Sequence, residues 1–92
     1  MPNHHPAIIA LYRATEDPED LARFDAFRAK VRNAALCGII RERAELAACP
    51  ADATGWLASH RAVIRAEIRR AAEYGATDAE IRAALTAAPV KA

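Results

Sequence analysis

The chain has 92 residues, enough for one domain with one core, since independent domains rarely fall much below about 50 residues. A hydrophobic share of 53% beside 27% charged residues excludes a chain dominated by disorder, and an aromatic content of 5% leaves the core to Ala, Leu, Ile and Val. The formal net charge of +1 excludes an overall field that would gather nucleic acid or an anionic membrane, so any attraction must be local.

Residues Met1 to Pro6 read as a mobile tail, because Pro2, Asn3 and Pro6 discourage regular structure. A short helix is expected over residues 7–14, where Ile8, Ile9, Leu11 and Tyr12 give it an apolar surface that needs a neighbour. Asp17-Pro18-Glu19-Asp20 then spells a helix start: a capping carboxylate, a proline at the first helical position, and acids at the positive end of the dipole. The second helix is expected over residues 18–48. Its stripe of Leu21, Phe24, Phe27, Val31, Ala35, Ile39 and Leu46 recurs at three and four residues, with Arg23, Lys30, Arg41, Arg43 and Glu45 mainly off it. Gly38 marks either a close helix crossing or a break, and Cys49-Pro50 ends the element.

After a turn, Thr54 or Asp52 is placed to cap a third helix over residues 55–74, whose stripe is Trp56 or Leu57, then His60, Ile64, Ile68 and Ala71. Gly75 supplies the left-handed residue that stops it, and Thr77-Asp78-Ala79-Glu80 is a capping-box pattern for a fourth helix over residues 78–88, stopped by Pro89. Nowhere do β-branched or aromatic residues alternate as strands require. The expected fold is all-α: a small bundle of three or four helices, with one long central helix, as a single domain over residues 7–92.

The segment from Glu67 to Leu85 resembles the helix-turn-helix unit of many bacterial and phage regulators. Three residues carry the likeness: small Ala71, the turn glycine Gly75 four residues later, and apolar Ile81 six residues after that. Its phrase Gly-Ala-Thr-x-Ala-Glu-Ile is also similar to one common in small actinobacterial and actinophage proteins. The resemblance implies that the helix after Gly75 reads DNA, with Thr77, Asp78, Arg82 and Thr86 towards bases or phosphates. Arg61, Arg65 and Arg69, at four-residue steps on the preceding helix, would face the DNA backbone or an acidic partner. The same joint also reads as an ordinary helix connection, and Asp78 and Glu80 would meet phosphates with like charge.

No nucleophile–base pair or carboxylate pair is apparent, and the one metal-ligand spacing, adjacent His4 and His5 in the tail, reads as adventitious nickel or zinc binding, so an enzyme, a cofactor, a structural metal and a small-molecule substrate are not expected. Cys37 reads as a small residue filling a core gap rather than a thiolate paired with His60, and Cys37 and Cys49 as reduced thiols. No apolar run approaches the ~18–20 residues of a membrane span, which makes the cytoplasm the default compartment. The long second helix carries more apolar surface than three short helices cover, so Phe24, Phe27, Val31 and Ile39 are the expected interaction face, for a protein partner or a second copy. The functional expectation is a non-enzymatic binding module, a regulator or inhibitor of bacterial or phage origin, with a helix-turn-helix DNA-binding regulator as the alternative.

Overall fold

The computed structural model describes residues 6–15 and 17–87. The expected tail with His4 and His5, and the stop at Pro89, lie outside those residues. Four helices follow in order: α1 (Pro6–Thr15), α2 (Pro18–Ala48), α3 (Thr54–Glu73) and α4 (Asp78–Thr86). No strand accompanies them among the described residues. The fold is the small all-α arrangement built on one long central helix.

Local chemistry explains where α2 begins and ends. Asp17 accepts the backbone N–H of Asp20 at 3.0 Å, Pro18 occupies the first turn, and Glu19 and Asp20 sit at the positive end of the dipole. At the other end Cys49 turns extended, with its N–H on the carbonyl of Leu46, and Pro50 has no N–H to continue the ladder. Between them the helix is unbroken, so Gly38 marks a crossing and not a break. Gly38 is buried beneath α3, and a Cβ added there would run into Oε2 of Glu67, with Cδ at 3.1 Å. That obstacle is the free end of a flexible side chain. Gly38→Ala is therefore expected to stabilise the protein by about 0.5–1 kcal/mol, the helix-propensity difference, as Glu67 swings aside. A denaturant midpoint that falls instead would show that the crossing itself is too tight for a methyl group.

α3 runs back along α2, and contacts at both ends fix the antiparallel pairing: His60 meets Glu42, and Arg28 meets the carbonyl of Glu73. Its entry differs from the sequence expectation, since neither Thr54 nor Asp52 caps it. Ala53 holds the cap position without a side-chain bond, and the turn Ala53 N–H to Pro50 carbonyl at 3.0 Å sets the approach. Between the two possible stripes, Leu57 turns inward and Trp56 stays 68% exposed.

The centre is small and aliphatic. Ile39, Ile64 and Ala84 are buried together, with Leu36, Ile40, Leu46, Ile68 and Leu85 packed around them, and Ala35 and Ala71 are enclosed nearby. α4 closes one side of the α2–α3 pair through Ala84 and Leu85. Arg43 anchors it there, donating from Nη1 to the carbonyl of Ala87 at 2.7 Å, where the negative end of the α4 dipole lies. α1 is tied to the start of α2 by an Arg13–Asp25 ion pair.

The molecule is long: 54 × 25 × 19 Å, with a radius of gyration of 16.1 Å, against about 12 Å for a compact chain of this length. The 31 residues of α2 alone reach about 46 Å at 1.5 Å per residue. Its first turns project beyond the end of α3, which comes level with Phe24 and Arg28 at Tyr74. No helix of the described residues is long and apolar enough to cross a membrane.

Candidate functional site

Two surfaces qualify from the residues upward: the α3–α4 joint, and the face of the α2–α3 pair opposite α4.

The joint is a complete helix stop followed by a complete helix start. Gly75 adopts φ 98°, which allows its N–H to reach the carbonyl of Ala72 at 3.2 Å and the N–H of Ala76 to reach that of Ala71 at 2.9 Å. Thr77 Oγ1 then accepts the Glu80 N–H at 3.1 Å, while Glu80 Oε1 accepts the Thr77 N–H at 2.8 Å. The backbone bond from Thr77 holds the Glu80 carboxyl below the ordinary carboxylate range. Ala71 is buried and Ile81 half-buried beside the turn.

Most side chains that the resemblance assigns to reading DNA are engaged within α4. Thr77 is the cap. Arg82 pairs through Nε with Asp78 at 2.8 Å, both well exposed, and Thr86 donates its hydroxyl back to the carbonyl of Arg82 at 3.0 Å. Arg61, Arg65 and Arg69 are exposed along one stripe of α3 and make no ion pair among the described residues.

The opposite face is of a different kind. Among the described residues, three of the four large exposed apolar side chains lie on it: Phe27 at 53%, Trp56 at 68% and Val63 at 43%. Trp56, Val63 and Arg70 recur at seven-residue steps, which puts them on a single stripe of α3. Phe27, Ala34 and Arg41 make the matching stripe of α2. The two stripes meet along an open groove of about 440 Å³, where Phe27, Val31 and Ala34 of α2 lie across from Glu67 and Arg70 of α3. Successive residues are turned by about 100°, so Leu36 and Arg43, which face α4, stand about 200° around from Ala34 and Arg41. The groove therefore opens on the side of the pair that α4 leaves bare.

Each end of this face has a polar fastening. At one, the Arg28 guanidinium lies 5.3 Å from the Tyr74 ring and 5.9 Å from Phe24, and its Nη2 donates to the Glu73 carbonyl at 3.1 Å, at the negative end of the α3 dipole. Phe27 meets Tyr74 edge-on at 6.4 Å. At the other, His60 Nδ1 lies 2.8 Å from Glu42 Oε1, with the Trp56 ring 6.4 Å from the imidazole.

These placements revise several sequence expectations. Ile39 is fully enclosed and belongs to the core, not to an interaction face. Phe24 is half-buried under Arg28, so of the four residues expected there only Phe27 and Val31 line the groove. Cys37 is exposed on the outer side of α2 and fills no core gap, and both cysteines are free. The surface stripe of Trp56, Val63 and Arg70 lies outside the sequence expectation, and its signal in the sequence is the seven-residue spacing. Among the described residues no three His, Cys, Asp or Glu side chains converge as metal ligands would. Comparison with protein-family models, curated proteins and solved structures returns no match to this chain.

Proposed function

We propose that this protein is a non-enzymatic helical binding module, a small cytoplasmic regulator or inhibitor of bacterial or phage origin that acts by holding a protein partner. The observation that carries the reading is the groove on the side of the α2–α3 pair away from α4, with Val63 and Trp56 exposed on the same stripe of α3 as its wall residue Arg70. Large apolar side chains left exposed along one face, beside a groove with an apolar lining, are a feature of interaction surfaces. The near-neutral net charge and the acidic first turn of α4 favour a protein over a nucleic acid.

Affinity capture from host cells is expected to retain a protein with the native chain and to lose it with Val63→Asp, whose folding is expected to survive because the side chain is already exposed. Capture indifferent to Val63→Asp, or empty, would sink the reading. A second reading, a helix-turn-helix DNA binder, is favoured by the exposed arginines at Arg61, Arg65 and Arg69. It expects a duplex mobility shift that weakens steeply with salt, with sequence preference lost in Arg82→Ala.

A further inference from the structure

Resting on the binding-module reading, we infer that the partner segment is an acidic amphipathic helix, laid along the α2–α3 face with its apolar stripe in the groove and its carboxylates on Lys30, Arg41 and Arg70. The argument is one of charge and shape. The groove floor is apolar, from Phe27, Val31 and Ala34, while three cations and one acid share its lining. That acid, Glu67, is turned inward, its carboxylate lying against the buried backbone of Gly38. Lys30, Arg41 and Arg70 are exposed and make no ion pair among the described residues. The rim of an apolar trough thus carries three cations that no carboxylate contacts among the described residues.

An extended strand would find no sheet edge here to pair with, since the face is made of two helices. A helix suits it: the stripe from Trp56 to Arg70 spans about 21 Å, or roughly four helical turns of an occupant. Apolar residues at i, i+3, i+4 and i+7 would enter between the two stripes, and acids flanking them would reach the cations on both walls. A second copy of the chain would bring the same three cations against themselves, and a basic helix would meet them with like charge.

The test uses the full chain and its single tryptophan, Trp56, as reporter. Two designed helical peptides share one leucine stripe and differ only in carrying glutamate or lysine on the flanks. The glutamate peptide is expected to change Trp56 fluorescence saturably, with an affinity about tenfold above that of the lysine peptide, an advantage that shrinks with salt. The triple variant Lys30→Glu, Arg41→Glu, Arg70→Glu, verified as helical by circular dichroism, is expected to reverse the preference. Equal or absent binding of the glutamate peptide would overturn the inference. So would sedimentation showing a dimer in which Trp56 is shielded, because the face would then belong to a second copy. If capture depends on Val63 while the peptides show no preference, the acidic helix is wrong and the binding-module reading stands. If capture fails as well, both fall.

Discussion

Ile39→Ala is expected to remove about 3 kcal/mol of stability, within the ~2–5 kcal/mol usual for truncating an enclosed Ile to Ala. Ile39 is 0% exposed at the point where α2, α3 and α4 meet, and the few buried residues around it are small or aliphatic, with little capacity to collapse into the space. A chain this size has a total stability near the low end of ~5–15 kcal/mol, so the variant is expected to lie close to its unfolding transition at ambient temperature. Ile39→Val, losing one methylene, is expected to cost only about 1 kcal/mol. Urea unfolding followed by circular dichroism checks both, with the midpoint falling and the slope unchanged. A cost below about 1 kcal/mol for the alanine would mean that the three helices do not converge on this side chain. The result also bears on binding assays: a charge at Ile39 would abolish capture by unfolding the protein, whereas a charge at Val63 tests the surface.

Enlarging Ala71 to Leu is expected to cost about 1–3 kcal/mol by overpacking. Ala71 is 0% exposed, and its carbonyl accepts the N–H groups of both Tyr74 and Ala76 in the turn that redirects the chain into α4. A larger side chain must displace either α4 or α2, and neither can move without disturbing Ala84 in the core. Ala72→Leu, one residue along and exposed, is the control, with a change expected within about 0.5 kcal/mol. Paired thermal melts decide the outcome, together with backbone chemical shifts at Ile81 and Ala84. Equal tolerance of the two leucines would show that the joint holds α3 and α4 loosely, which would weaken any scheme in which it presents α4 rigidly to a partner.

The helix-turn-helix resemblance rests on a joint whose form follows from its own residues. Gly75 at positive φ and the reciprocal Thr77–Glu80 cap would build the same turn in a bundle that binds nothing. Thr77 and Thr86 bond to their own helix, and Arg82 pairs with Asp78 while both stay well exposed, an arrangement open to a reader and to a connection alike. The basic stripe of Arg61, Arg65 and Arg69 stays available and gives the DNA reading its remaining support.

By itself the sequence determined the helical class, both ends of α2 and the start of α4, because caps, prolines and the turn glycine act within four or five residues of themselves. It also marked out the apolar stripe from Phe24 to Leu46. Which side of that stripe met which neighbour was decided only by the tertiary structure. A helix of 31 residues has three or four directions in which to bury apolar side chains, and periodicity does not divide them between core and surface. Ile39 went inward because α3 and α4 converge there, while Phe27 stayed out because α4 ends on the other side of α2. Trp56 and Leu57 were equal candidates until the turn after Pro50 set the rotation of α3. Arg43 lies off the apolar stripe in the sequence, and only the placement of α4 brings terminal carbonyls within its reach. The trough with its cationic rim likewise exists only once α2 and α3 lie side by side, since its two walls come from segments that no local pattern connects.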